Sequence, residues 1–552
     1  LNFIFLLIPA ILLIYYVYSL GIYFLICYFQ ISQILKFQKL ENCIFIFKNA
    51  FYKKFNFMEE IMSQTTKRVF TRKSKLFLIL VSMIIFISCK GQYFPDSEGD
   101  SGGTGGGAGG GSAGGNIVGK DYKLPKGSLS QEEQKKAMDP NKYFTTLFKK
   151  GDYNSKYFRI PALICTSNGT ILAAADRRYD HPADLGKGKT RIDVIVRRSE
   201  DLGATWSAPI TIGNVASDTS ANHSDSYGDA FFINCHNGDV LCGFVKEPGT
   251  AQKQPRGKTV IYRSKDDGKT WIEQFGFLPT EAGIKNADRG FAASGQGLTL
   301  RHGANAGAKK LMFAYIQWNN ASGGNGLSVT AMVSDNDGQS FYASGNVKPS
   351  PDNNIDETKA IELSDGSIML NHRKGVSQGN RAWSKSTDGG NKWTYQGIDQ
   401  EVLDPGNNAD FTRYEFNGKH IKTDKYILMI NANANADGKW FFTRKNHHIR
   451  LTDNEFKNGN GTATGKYTYD KQLVIGGEKL FSGYPTITTL PDGTICTLTE
   501  ETWTTGREPV QGVDAGGDDY DIVFRRFNLY WLSDGKEYVD YNTDNLFQYK
   551  NY

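Results

Sequence analysis

Four short copies of one turn pattern punctuate this 552-residue chain: SEDLGATW at 199–206, SKDDGKTW at 264–271, SDNDGQSF at 334–341 and STDGGNKW at 386–393. They follow one pattern, S-x-D-x-G-x-[TSK]-[WF], with Asn336 at the Asp position of the third copy, and their starts lie 65, 70 and 52 residues apart. A unit recurring at such a period marks a repeat architecture, in which each unit buries its apolar faces against its neighbours. Asp accepts from nearby backbone N–H groups and Gly takes a positive φ, so the unit is a tight turn closed by an aromatic side chain. Strand-like runs flank every copy, so each is a hairpin turn between two strands of one sheet. The turn aspartates are then structural and should lie on a rim away from any pocket. Further hairpin signals stand at 167–170 (SNGT), 236–239 (HNGD), 364–367 (SDGS) and 491–494 (PDGT). From Tyr143 onward, six blades of about 65 residues would fill the chain, so the expected fold is an all-β six-bladed β-propeller.

The chain before that region is of another kind. Residues 1–57 are mostly Phe, Ile, Leu, Tyr, Lys and Asn, contain no Met, and carry an uncharged run at 3–30 long enough to span a bilayer. The reading preferred here is that they derive from upstream of the true start and are absent from the mature protein. Residues 58–89 have the form of a secretory signal: Lys67, Arg68, Arg72, Lys73 and Lys75, then an apolar run at 76–87, then Ser88-Cys89. The Cys at the cleavage point resembles a bacterial lipoprotein signal, which implies acylation of Cys89, although Phe86 stands where Leu is usual. Residues 90–142 form a tether, almost entirely Gly, Ser and Ala over 99–115, with one short helix expected near 130–137. Residues 143–552 are the propeller. The protein is therefore expected to be exported and held at the bacterial surface or outer membrane through its lipid.

The net charge of +6 misleads, because residues 1–90 hold 11 Lys and Arg against 3 acidic residues. The remaining residues carry about −2, and nothing in that region suggests the basic patch a nucleic-acid binder needs. Outside the leader the cysteines are Cys165, Cys235, Cys242 and Cys496. None is in a CxxC pair or at metal spacing with His. Cys235 and Cys242 flank a hairpin turn and could pair across it, but buried free thiols are the preferred reading.

Just before the first turn pattern stands YFRIP at 157–161. An F-R-I-P motif followed by four such turns resembles the bacterial sialidases with BNR (Asp-box) repeats, over about residues 143–527. The resemblance implies a retaining exo-α-sialidase that needs no metal or other cofactor and acts as a monomer on sialylated glycans. Its substrate carries a carboxylate on the anomeric carbon, which three arginines hold by bidentate pairing. Arg159, Arg373 and Arg444 match those positions, with Arg450 competing for the third. An Asp or Glu nucleophile would be repelled by that carboxylate, and sialidases use Tyr instead. Tyr484 in FSGYPTIT (481–488) matches the nucleophile, and Glu357, 16 residues before Arg373, matches its base. Asp184 matches the acid/base, eight residues after Asp176 of ADRRY, with Asp180 as the alternative. Arg178 and Asp229 match positions facing the O4 and N-acetyl side of the sugar. The segment 289–297, beginning at Arg289, resembles the small-residue loop that precedes the central strands, the segment beginning at Asp410 matches a strand bordering the pocket, and Trp318 could line the aglycone side. Two other readings share these residues: a transferase or intramolecular trans-sialidase with the same site, and a non-catalytic glycan-binding propeller, which would not need Tyr484 paired with Glu357.

Overall fold

The computed structural model describes residues 124–544 apart from 186–190, 214–225, 248–257, 286, 320–326, 348–354, 375–378, 436–443, 478–479 and 503–519. The leader, the signal with Cys89 and the Gly/Ser-rich stretch lie outside the described residues. Six sheets, each built on four antiparallel strands, follow one another along the chain. Blade I comprises Tyr157–Cys165, Ile171–Arg178, Ile192–Ser199 and Ile210–Ile212; blade II comprises Ser226–Asn234, Val240–Glu247, Lys258–Ser264 and Ile272–Phe277. Blade III is built on Ala287–Ala292, Leu311–Asn319, Leu327–Ser334 and Tyr342–Val347; blade IV on Ile355–Glu362, Ile368–Lys374, Ala382–Ser386 and Thr394–Ile398. Blade V has Ala409–Arg413, Ile427–Ala432, His447–Thr452 and Tyr469–Gln472. Blade VI takes Ser482–Thr489, Ile495–Glu501 and Asp521–Phe527 from the end of the chain, and its fourth, outermost strand, Phe144–Phe148, from the beginning. The fold is the expected six-bladed propeller, closed by strand exchange between the two ends of the chain.

Why these strands stack is visible in their burial. Inner and second strands are almost wholly apolar or buried, as strands covered on both faces must be. Successive side chains point to opposite faces, so each strand feeds two cores. In blade II, Phe231 and Ile233 join the core shared with blade III, whereas Ala230 and Phe232 join the core shared with blade I. Six clusters result, one between each pair of neighbouring blades around the ring. Cys165, Cys235, Cys242 and Cys496 are buried free thiols within these cores.

The four turn patterns join the third and fourth strands of blades I to IV. In the first, Gly203 N donates to Ser199 Oγ (2.8 Å), Thr205 N to Asp201 Oδ1 (2.8 Å), and Trp206 Nε1 to Gly203 O (3.1 Å). The copy at Asp266 repeats these bonds. In the third copy Asn336 takes the Asp place, and its Oδ1 accepts from Ser340 N (3.0 Å) as the aspartates do. The amide therefore serves where the charge is not needed. Third strands run away from the end of the blade where Arg159 and Arg178 lie, so these turns sit on the opposite rim. The signals at 167–170, 236–239, 364–367 and 491–494 join first to second strands of blades I, II, IV and VI, also on that rim. The expected helix near 130–137 is a single turn, Gln131–Gln134, capped by Ser130 with Glu133 reaching back. It sits against blade VI, with Gln134 Nε2 donating to Asp492 O and Met138 N to Asn528 Oδ1. Among the described residues, no helix is long and apolar enough to cross a membrane.

Candidate active site

Five of the six inner strands break register near their start, and each break falls at a polar residue. The shifts lie at Arg159/Ala162, Gly228/Phe231, Ala287/Arg289, Ile355/Thr358 and Ser482/Pro485. A bulge bends a strand and re-aims a side chain. Ile160 and Asp229 take the positive φ such a break demands (both 58°). Arg159, Asp229, Arg289, Glu357 and Tyr484 thus stand at matching places around one mouth of the channel.

At its centre the Tyr484 hydroxyl donates to Glu357 Oε1, and Arg373 Nη1 donates to both Glu357 Oε2 and the Tyr484 oxygen, the latter at 2.9 Å. Tyr484, Glu357 and Arg373 are all buried. Burial opposes charge on Glu357, but Arg373, the Tyr484 hydrogen bond and Arg444 outweigh it and hold the carboxyl below its usual range. Burial, and then the charge of Glu357, push the Tyr484 phenol well above its usual range against Arg373 and Arg444. The resting pair is therefore a neutral phenol against a carboxylate. Two more guanidinium groups lie over the Tyr484 ring: Arg159 at 5.6 Å and Arg444 at 5.3 Å from its centroid.

Arg444 is thus the third arginine at this mouth. Arg450 is not: it pairs with Asp470 (2.8 Å) on the outer strand of blade V and lies over Tyr467. Arg159 is fixed by a residue that sequence reading passed over. Buried Glu500 accepts from Arg159 Nε (2.7 Å) and Ile160 N (2.7 Å) through Oε1, and from Tyr484 N (2.8 Å) through Oε2. One carboxylate therefore sets the positions of both the first arginine and the tyrosine. Gly483 makes room for it, because a Cβ there would lie 2.1 Å from Glu500 Oε2.

On the blade I side, Arg178 forks between Asp176 Oδ2 and Asp184 Oδ1, each at 2.9 Å. Asp176 also accepts from Asp229 N (3.0 Å). Burial raises Asp176 to about 6 despite Arg178, and burial together with the Asp176 charge raises Asp229 well above its usual range. Asp184 is the outermost of the group, its side chain 62% exposed on the loop after the strand. Arg178 and Arg159 overcome its desolvation and hold its carboxyl below the usual range. Asp180 points elsewhere, pairing with Lys156 at 3.0 Å. Asp356, also missed from sequence, lies 3.9 Å from Arg373 Nη1, and burial with the Glu357 charge raises it to about 7. Trp318 lies on the second strand of blade III, and its side chain is outside the described residues. Among the described residues no cluster of three His, Cys, Asp or Glu is placed to hold a metal.

Comparison with known proteins settles the family. Residues 160–462, more than half the chain, match the family described as BNR repeat-like domain. A sialidase of Micromonospora viridifaciens is 28% identical over 387 residues, covering 68% of this chain and 52% of that one. This chain belongs to the family of BNR repeat-like domains. A sialidase of Clostridium perfringens is 26% identical over 324 residues, covering 56% of this chain and 78% of that one. The chain spans about half the length of the first of these relatives. Among solved structures, the Hadza microbial sialidase Hz136 superposes with a TM-score of 0.54 at 20% identity, over 70% of this chain and 68% of that one, a likeness of fold.

Proposed function

We propose that this protein is a retaining exo-α-sialidase that removes terminal sialic acid from glycans. One observation carries the reading: a buried tyrosine hydrogen-bonded to a carboxylate, with three guanidinium groups around it. So much positive charge in a buried place needs an anion, and guanidinium forks fit a planar carboxylate. With the substrate carboxylate on Arg159, Arg373 and Arg444, the anomeric carbon lies at the Tyr484 oxygen. Tyr484 attacks as its proton passes to Glu357, and Asp184 gives a proton to the departing glycosidic oxygen. In the second step Asp184 takes a proton from water, the water oxygen bonds to the anomeric carbon, and Tyr484 leaves with its proton returned from Glu357. Asp184 must be protonated for the first step. The negative charge of the substrate carboxylate offsets part of the positive field of these arginines and so raises the Asp184 pKa when it is needed. Arg178 and Asp229 would face the substituents of the sugar ring. Neither step requires a metal.

The test is release of 4-methylumbelliferone from its sialic acid conjugate by residues 116–552 and by their Tyr484→Phe variant. Turnover by the parent with a loss of at least about 10²-fold in the variant is expected. A folded but inactive parent favours glycan binding alone, and an unaffected variant moves the nucleophile elsewhere. We also infer lipid anchoring through Cys89, on which the placement at the cell surface rests. Radiolabelled palmitate should enter the full-length chain and be absent from its Cys89→Ser variant.

A further inference from the structure

One layer below the proposed catalytic pair lies a buried charged cluster that the mechanism does not use. Lys359 follows Glu357 by two residues on the inner strand of blade IV, and Thr486 follows Tyr484 by two on that of blade VI. Asp410, on the inner strand of blade V between them, joins the two. Its Oδ2 accepts from Thr486 Oγ1 (2.6 Å) and Ile487 N (3.2 Å), and its Oδ1 lies 3.7 Å from Lys359 Nζ. Lys359 Nζ also donates to Ser294 O, and Asn408 Nδ2 donates to Ser294 Oγ at 3.2 Å. The cluster is closed: Lys359, Asp410 and Thr486 are all buried. Gly295, at φ 114°, passes beside it, and a Cβ there would fall 2.5 Å from Lys359 Nζ and 3.1 Å from Asp410 Oδ2.

A buried ion pair is weak evidence of stabilisation, since apolar replacement of both partners is often neutral. What this pair does have is a place. The Glu357–Tyr484 hydrogen bond spans blades IV and VI with blade V between, and the Lys359–Asp410–Thr486 chain crosses the same two blades just beneath. We propose that Lys359 and Asp410 are positioning residues that fix Glu357 against Tyr484. They hold the two inner strands at the spacing this contact needs, and Lys359 adds a positive charge under Glu357. The other groups around Glu357 are Arg373 and Asp356 from its own blade, Arg444 and Tyr484, with Asp229 across the mouth. Arg381 supports it from below, donating to the Glu357 backbone oxygen at 3.4 Å. The proposal rests on the sialidase reading for its kinetics but not for its geometry.

The test replaces the pair together, Lys359→Met with Asp410→Asn, and separately cuts one link with Thr486→Val. Turnover of the methylumbelliferyl conjugate is followed from about pH 4 to 8, and the Glu357 carboxyl is titrated by carbon-13 NMR, assigned with Glu357→Gln. In the double variant kcat should fall about 10-fold or more with KM within about threefold, and its acid limb should move to higher pH by roughly half a unit or more. Thr486→Val should lower kcat about threefold, and it decides the question if the double variant does not fold. A pH–kcat profile superimposable on the parent's, with Glu357 titrating unchanged, overturns the proposal. So does a rise in KM alone, which would assign the pair to carboxylate binding. An inactive parent refutes the sialidase reading instead, and the NMR titration then decides the positioning role by itself.

Discussion

Glu500 offers the sharpest perturbation, because one side chain holds three donors at known distances. In Glu500→Gln one carboxylate oxygen becomes an NH₂ group. Turned toward the Oε1 position, it would face both Arg159 Nε and Ile160 N; turned toward Oε2, it faces Tyr484 N alone. The second orientation costs less, but it still orphans a buried amide and leaves the Arg159 charge without its counter-ion. Arg159 and Glu500 are 3% and 0% exposed, so solvent cannot compensate. Breaking a buried pair from one side costs about 3–5 kcal/mol, and the orphaned N–H roughly 1–3 kcal/mol of overlapping cost. A net loss of about 4 kcal/mol should lower the melting temperature by several degrees in a domain of this size. The effect on activity follows from Arg159. If its loosened guanidinium forfeits one charge-assisted bond to the substrate carboxylate, worth about 1.5–3 kcal/mol, kcat/KM falls about 10- to 100-fold, mostly through KM. Differential scanning calorimetry and steady-state kinetics on the same preparation measure both. A melting temperature within a degree of the parent and an unchanged KM would refute the argument that Glu500 positions Arg159.

Asp184→Ala should cost little with methylumbelliferyl leaving groups and much more, at least about 10²-fold, with sialyllactose, because only the poorer leaving group needs a proton; equal losses on both would remove Asp184 from that role. Glu415 pairs with His302 at 2.8 Å and accepts from Arg413 at 3.2 Å, and against burial these hold it down at about 2. Its contribution of about 3 kcal/mol is complete above about pH 5 and lost as pH falls through 4.5 toward 2, so Glu415→Gln should flatten the acid side of the stability curve. His302 is raised by the same contact, so its share is present below pH 6.5 and lost as pH rises further, and urea unfolding across pH reads both. Asp266→Ala removes two bonds to Thr270 and one from Ser264 on the rim away from the site, and should lower stability by about 1–2 kcal/mol with kcat unchanged, whereas Asn336→Asp should change neither.

Much of this was legible in the chain, for local reasons. A turn pattern works through bonds within eight residues, so it repeats as a string and announces the blades. Arg159, Glu357, Arg373 and Tyr484 carried recognisable neighbours, and the structure brings them together. Two choices left open by spacing needed three dimensions: Arg444 against Arg450, and Asp184 against Asp180. In each case the discarded residue has a partner on its own blade that no motif reveals. Glu500 and Glu501 are adjacent in the sequence and opposite in space, since strand side chains alternate: one takes Arg159 and the other Arg525. Nothing in a pair of glutamates says which faces the channel. Lys359 was hidden in the same way, and although Asp410 was read as opening a strand beside the pocket, its pairing with Lys359 across blades was not.

The strand Phe144–Phe148 pairs with Asp521–Phe527, about 380 residues further along. Sheet VI therefore cannot be completed until the far end of the propeller has left the ribosome and, in an exported protein, crossed the membrane. Until then the first strand waits with no partner, and the blade that supplies both Tyr484 and Glu500 lacks its outer edge. A pairing that needs both ends of the chain thus completes the blade that carries Tyr484 and Glu500. A chain trimmed at its front beyond Phe148 would keep all the residues proposed here for chemistry and still lack the strand that locks their ring shut.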